Sequence, residues 1–447
     1  MSPTASAPGQ PIQIDLLLKP GWIIPIEPLG VTLQNHALAV TEGKIVDLLP
    51  YQLADQRFSP KKTLSLPGQV LLPGFVNLHT HAAMSLLRGY ADDLPLMQWL
   101  RERIWPAEIQ HVSPDFVEVG TALACAEMLC GGITCFNDMY FFPESAALAA
   151  SQAGIRAALG MIVIEFPSAY AGDAEDYIAK GLAARDASID NPLISYCFAP
   201  HAPYTVADTS FEKIVALADQ FKLPIHVHIH ETLQEIQDSV QEHGVRPLQR
   251  LYRLGVVGPS MIGVHGVHLT MEELDCLAHE GAHIAHCPTS NLKLGSGIAP
   301  MTAIHSRGIN FGLGTDGAAS NNRLDPFREI RLAALLAKGA DGDPAAMSSH
   351  VALHAATLGG AKALGLDQKI GSLVSGKDAD LCTVRLDEWI SQPCFDPASH
   401  LVFVSGREQV VNVWVAGKQQ VIEGKLDQEM LFPLIESVKL WHTRLKS

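Results

Sequence analysis

The chain has 447 residues, 47% of them hydrophobic and 18% charged, with a formal net charge of -15. This composition can fill a large core, and the negative charge argues against nucleic acid as a general partner because phosphates would be repelled. No apolar stretch is long enough for a bilayer span, so no membrane partner is expected.

The opening MSPTASAPGQPIQ lacks the basic and apolar regions of a secretory leader and reads as a short loose tail, which favours the cytoplasm. The eight cysteines form no CxxC pair, so buried reduced thiols are expected, again cytoplasmic. Short strands follow: IDLLLKPGWIIPI, then HALAVTEGKIVDLLP with alternating apolar positions around TEGK. From Val70 onward eight apolar runs alternate with amphipathic stretches: VLLPGFVNLHTH, GITCFND, IRAALGMIV, LISYCFAPH, PIHVHIHE, MIGVHGVH, AHIAHCP and INFGLGTD. FEKIVALADQF and MEELDCLAHEG are two of the intervening helical stretches. Strand–helix alternation repeated eight times predicts a (β/α)8 TIM barrel, ahead of a doubly wound sheet, because no glycine-rich phosphate loop opens the first helix. Near the end DADLCTVRLDEWI and QVVNVWVAGKQQVIEGK again alternate around a turn, so the two termini are expected to build one small composite β-sandwich. The expected division is 1–68 and 372–447 for the sandwich and 69–371 for the barrel. A closing helix is expected over Phe432–Leu445, with Pro433 in its first turn.

The predicted strand ends are unusually polar: His79 and His81, Asp138, His201, then His228, His230 and Glu231, His265, His286 and Asp316. In such barrels chemistry collects at the C-terminal ends of the strands. A single buried histidine is usually satisfied by a carbonyl, but a set confined to one end asks for another explanation. Side chains at i and i+2 of a strand share a face, so His79 and His81 both enter the barrel, spaced to hold one ion. Imidazole with carboxylate suits zinc or iron. His226, His228 and His230 also alternate onto one face, and periodicity does not separate them.

The stretches PGFVNLHTHAAMSLLRGYADDLPLMQWL, IWPAE, APHAPYT, HVHIHETLQE, HCPTSNLKLGSGIAP, GLGTDGAASNN and GKDADL resemble the amidohydrolase superfamily. The resemblance is closest to its 5-methylthioadenosine/S-adenosylhomocysteine deaminases, relatives of the triazine hydrolases. It implies a metal-dependent barrel with one divalent ion, zinc first and iron or manganese also able to take the ligands. The implied ligands are His79, His81, His228 and Asp316. His228 is chosen from its trio by the family's H-x-x-E spacing to Glu231, which would leave His226 as a deeper packing residue and His230 nearer the rim.

The same resemblance implies hydrolytic deamination of an adenosine-type nucleoside at C6. Glu231 would protonate N1, His265 would hold and polarise the nucleophile, and Asp316 would carry the water's proton to the leaving amine. Glu108 would accept from the ribose hydroxyls, while His201, Ser320 and Arg156 are further expected substrate contacts; His286 receives no step. Met84–Leu87 and Leu94–Trp99 are candidate pocket walls. Some members carry a second arginine after the G-x-R that Arg156 completes, positioned for a carboxylate tail, and here Met161 and Glu165 follow instead. The absence favours methylthioadenosine or adenosine over S-adenosylhomocysteine. A triazine, guanine or cytosine aminohydrolase is the nearest alternative, and a non-catalytic barrel scaffold a more distant one. The expected partner is a small nucleoside, and a homo-oligomer is compatible with the resemblance.

Overall fold

The computed structural model describes residues 11–446. Five strands lead in: β1 (Ile12–Ile23), β2 (Leu33–Gln34), β3 (His36–Thr41), β4 (Lys44–Pro50) and β5 (Phe58–Pro73). Eight follow in the middle: β6 (Phe75–Thr80), β7 (Ile133–Tyr140), β8 (Arg156–Val163), β9 (Ile194–Pro200), β10 (Ile225–Ile229), β11 (Met261–His265), β12 (His283–His286) and β13 (Asn310–Leu313). Three close the chain: β14 (Leu381–Arg385), β15 (Val410–Val415) and β16 (Lys418–Val421).

Strands β6 to β13 pair in chain order, all parallel, with helices between them. Strands covered on both faces need apolar residues throughout, and every position of β6, β7 and β8 is buried. The intervening helices bury one stripe: Asp208–Phe221 packs Phe211, Ile214 and Ala218 inward. The edges β6 and β13 come together through polar contacts. The Asp316 amide donates to the His79 carbonyl at 3.0 Å, and the Asn77 side chain bonds both the amide and the hydroxyl of Thr315. Gly314 allows this closure, since a Cβ there would stand 2.9 Å from the His79 Cβ. This is the expected TIM-like barrel.

The terminal strands form one mixed sheet in the order β16-β15-β14-β5-β1-β3-β4, with β2 beside β1. It curls until its two end hairpins touch: the bend at Gly43 lies against Ala416 and Gly417. Leu18, Val40, Leu71, Leu381 and Trp414, from five of these strands, share the core it encloses. Both termini therefore build a single β-domain, as their alternating patterns imply.

Several local expectations change. Residues MSPTASAPGQ lie outside the described residues, but Ile12 and Gln13, expected in the loose tail, pair with Phe58 and Ser59 in β1. Val70–Pro73 belongs to the terminal sheet, paired with β14, so the chain passes into the barrel at Gly74 rather than at 68. A Cβ on Gly74 would meet the Thr134 side chain at 2.2 Å. The closing helix starts at Gln428, where Asp427 caps it by accepting from the Glu429 amide. Pro433 therefore sits inside that helix, where it withholds one backbone donor, and not in the first turn.

Arg156 also changes role. It opens β8, at the end of the barrel away from the polar rim, and its guanidinium binds Asp380, Asp378 and the Pro192 carbonyl at 3.1–3.2 Å. It fastens the barrel to the terminal sheet and is removed from the substrate contacts. Losing one member of a buried ion pair leaves an unpaired charge and costs about 3–5 kcal/mol. Arg156→Met should therefore lower the unfolding midpoint strongly while leaving the KM of the remaining folded enzyme unchanged.

Candidate metal centre and substrate pocket

Strand register places the polar ends at one level. Thr80 pairs with Asp138, Ile229 with His265, and His286 with Leu313. The alternation of side chains then turns His79, His228 and His265 inward at similar depth. Ligand atoms of His79, His81 and Asp316 lie within 4.8 Å of one another, as do those of His79, His228 and His265. Asp316 Oδ1 stands 3.2 Å from His79 Nε2 and 3.3 Å from His81 Nε2, and His228 Nε2 stands 3.3 Å from His79 Nε2. The four side chains expected as ligands are thus spread over two clusters that share His79, with His228 grouped with His265 in the second.

The donor set fits a divalent cation. Each inward Nε2 belongs to a ring whose other nitrogen is engaged: His81 Nδ1 with the Met139 carbonyl at 2.6 Å, and His228 Nδ1 with the His201 carbonyl at 2.7 Å. His79 Nδ1 meets His226 Nε2 at 3.0 Å. Such outer contacts fix the tautomer and aim the lone pair. Bonds of about 2.0–2.1 Å around a tetrahedral ion imply ligand–ligand edges of about 3.3–3.4 Å, close to the separations of His79 from Asp316 and His228 and of His81 from Asp316.

Electrostatics agree. Burial pushes His79 down to about 4 and holds His228 well below the imidazole range, keeping both in the neutral form that binds metals. Burial also acts on Asp316, but its hydrogen bonds to His79 and His81, with their charges, outweigh it and hold the carboxyl well below the usual range. For His81, in contrast, Asp316 outweighs burial and lifts it to about 9, which favours the protonated ring, so a cation bound there has to displace that proton. The far oxygen of Asp316, Oδ2, accepts from Ser290 at 2.5 Å and Ser320 at 2.8 Å. Ser320 lines the cavity, yet its hydroxyl is committed to orienting Asp316.

A cavity of 640 Å³ opens above the centre, lined by His81, Glu108, His201, His228, Glu231, His265, Asp316 and Ser320. Glu231 is buried, with Oε2 3.7 Å from His265 Nε2 and Oε1 3.5 Å from the Ser296 hydroxyl. Burial raises its pKa and the Asp316 charge adds to this, while His265 and His81 oppose. His265 is aimed by Asn291, whose Oδ1 meets its Nδ1 at 2.8 Å. His201 is steadied by Thr205 at 3.1 Å, and burial pushes it down to about 3. Glu108 faces the same cavity, and the Tyr140 hydroxyl donates to its Oε1 at 2.7 Å.

Two of the three alternating histidines take unexpected parts. His226 lies deeper, as expected, but it also orients His79. His230 is not at the rim of the barrel interior. Strand β10 ends at Ile229, and His230 adopts φ 51°, so its ring turns outward to accept from the Leu248 amide at 3.0 Å. His265 and Asp316 have φ of 72° and 59°, so three residues at these strand ends hold left-handed backbone. Such strain tends to collect at functional sites. Asp138 accepts from the Ala82 amide at 2.7 Å and holds the turn after His81. His286 is buried outside the cavity lining, and neither ring nitrogen has a hydrogen-bond partner among the described residues.

The cavity walls are largely apolar. Of the expected walls, Met84, Leu96 and Trp99 line it, whereas Trp105, Ile109, Ile162, Ile164 and Phe166 were not anticipated. Tyr140, Ser290 and Asn291 were missed as well. Tyr140 could have been found as a strand-end residue two places beyond Asp138, and the two others stand in the quoted HCPTSN.

The amidohydrolase family pattern matches residues 70–419. The chain belongs to the amidohydrolase family. As a member it is an enzyme, a metal-dependent hydrolase acting on C–N bonds. It is 46% identical over 408 residues to a 5-methylthioadenosine/S-adenosylhomocysteine deaminase of Teredinibacter turnerae, covering 91% of this chain and 92% of that one. A zinc-bound adenosine deaminase of Xanthomonas campestris is 47% identical and superposes with a TM-score of 0.96, covering 98% of this chain and all of that one. The zinc-bound atrazine chlorohydrolase of Arthrobacter aurescens shares the fold with a TM-score of 0.88 at 23% identity, covering 96% of this chain and 100% of that one.

Proposed function

We propose that this enzyme hydrolyses the C6 amine of an adenosine-type nucleoside, giving the inosine analogue and ammonia. One observation carries the reading: two carboxyl groups, the buried Glu231 and Glu108, line the same cavity as His81, His228 and Asp316 of the candidate metal centre. The first suits protonation of a ring nitrogen, the second suits a pair of sugar hydroxyls. Deamination of the curated relatives' substrates, with 46% identity to one of them, supports it.

A divalent ion held by His79, His81, His228 and Asp316, zinc by its donor set, would supply Lewis acidity and make hydroxide available near neutral pH. Glu231 gives its proton to N1, which lets C6 accept a nucleophile. His265, aimed by Asn291, holds and polarises that nucleophile. Asp316 takes the water's proton and delivers it to the departing amine; the C6–N bond breaks, the new C6 hydroxyl returns a proton to Glu231 as the C6 carbonyl forms, and ammonia leaves. His201, at the cavity wall, contacts the nucleoside.

Among the described residues no arginine or lysine lines the cavity, and Trp105, Ile109, Ile162, Ile164 and Phe166 give it an apolar wall. A carboxylate placed there would be desolvated without a partner. Methylthioadenosine and adenosine are therefore favoured over S-adenosylhomocysteine. Ammonia release from these three compounds, with zinc analysis of the same sample, tests the reading. A strong preference for a free base or a triazine, or for S-adenosylhomocysteine, would overturn it in whole or in its finer part. A cytoplasmic setting suits the eight free cysteines.

Glu108 gives a pH prediction. Burial pushes its carboxyl up to about 7, against the opposing Tyr140 hydrogen bond and His81 charge. Only the carboxylate accepts from both sugar hydroxyls, so sugar binding is complete above that value and is lost as pH falls through it. KM for a ribonucleoside should rise as pH drops from 8 to about 6, and Glu108→Gln should flatten this rise. A 2′,3′-dideoxy substrate should show neither effect.

A further inference from the structure

Glu235 stands four residues after Glu231 in HETLQE. It is the third residue of the helix Leu233–His243, and the cap Thr232 accepts from its amide at 3.2 Å. A capping-box glutamate would reach back to the amide of the cap residue. This one reaches further: Oε1 accepts from the His230 amide at 3.1 Å, and Oε2 from the Glu231 amide at 2.9 Å.

Those two amides flank the left-handed turn at His230, where β10 gives way to the loop. Residues held in that region cost about 1–3 kcal/mol unless their surroundings fix them. Among the described residues the Glu231 carboxylate has only long contacts, 3.5 Å to Ser296 and 3.7 Å to His265, so its aim is set mainly by its backbone. One side chain gripping both amides fixes the direction in which Glu231 enters the cavity.

We propose that Glu235 is a positioning residue for the proton donor: its carboxylate clamps the His230 and Glu231 amides and so sets where Glu231 meets the substrate. The proposal rests on the reading of Glu231 as that donor. It belongs to kcat, because an error of about 1 Å in a reacting group can cost on the order of 100-fold in rate while binding persists.

The test compares zinc-loaded wild type with Glu235→Gln and Glu235→Ala. For Glu235→Ala, kcat should fall about 10- to 100-fold with KM within about two-fold, and zinc content should be unchanged. Amide hydrogen exchange at 230–231 should accelerate, a readout independent of turnover. Glu235→Gln keeps one acceptor oxygen and should recover part of kcat and part of the protection. Unchanged kcat in both variants, unchanged exchange, or a loss shared equally by kcat and KM would overturn the proposal. Should the alanine variant not fold, a glutamine variant matching wild type in kcat and exchange overturns it, and one with a kcat deficit and faster exchange supports it. If wild type releases no ammonia from any nucleoside, the functional reading fails, while the exchange measurement still decides whether Glu235 holds this turn.

Discussion

Glu231→Gln should leave zinc content at the wild-type level and reduce kcat by about 10²- to 10⁴-fold, the usual contribution of a positioned proton donor. In barrier terms that is about 2.7–5.5 kcal/mol. Glutamine has the same length and shape, and its carbonyl oxygen can keep the Ser296 contact now made at 3.5 Å. It lacks an acidic proton, so N1 of the ring stays unprotonated and C6 remains a poor electrophile. Glu231 stands outside the two clusters of converging donors, so the metal centre should be untouched. KM should change little, because the lost interaction is made mainly as the ring is attacked. Metal analysis beside steady-state kinetics checks both halves. A variant that lost its zinc would place Glu231 among the ligands, and one with wild-type kcat would remove it from the chemistry.

Spacing pointed to a polar rim at the strand ends, and the family resemblance, not spacing, singled out the ligands and the other site residues there. His79 is the last residue but one of its strand and His81 the first beyond it, and parallel strands in register carry His228 and His265 to the same rim. Alternation has no power beyond the end of a strand, however. His226, His228 and His230 look equivalent in sequence, yet β10 stops at Ile229 and the left-handed His230 throws its ring out toward Leu248. Arg156 was misplaced for a related reason. A family motif fixes a residue's neighbours in the chain, but its end of the strand decides what it meets, and at the start of β8 it meets Asp378 and Asp380. Pro433 suggested a helix start because proline is tolerated there, while Asp427 supplied the actual cap six residues earlier. The wall of Trp105, Ile109 and Phe166 was illegible because apolar residues look the same whether they face a core or a cavity.

Asp316→Asn should be more damaging than Glu231→Gln, because it removes a charge from the centre and a proton acceptor from the reaction together. The side chain has two distinct ends. Oδ1 faces His79 and His81 at 3.2–3.3 Å and also accepts from the Gly317 amide at 2.8 Å. Oδ2 accepts from the hydroxyls of Ser290 and Ser320. An asparagine can settle with its NH2 toward the serines, since hydroxyls can rotate to accept, leaving a neutral carbonyl oxygen at the centre. The fold should therefore survive, but a cation held by the proposed set would lose the one anionic ligand of that set. Substitutions in the outer contacts of such ligands already cost about 10- to 100-fold in metal affinity, and a ligand itself should cost more. Zinc should fall below one per chain after dialysis. Raising free zinc should refill the site but leave kcat at least about 10²-fold low, because the amide cannot take the water's proton. These two losses separate the two roles. Full recovery of kcat at saturating zinc would leave Asp316 a ligand and contradict its part in proton transfer. Undiminished zinc after dialysis would contradict the four-donor centre, even with turnover abolished.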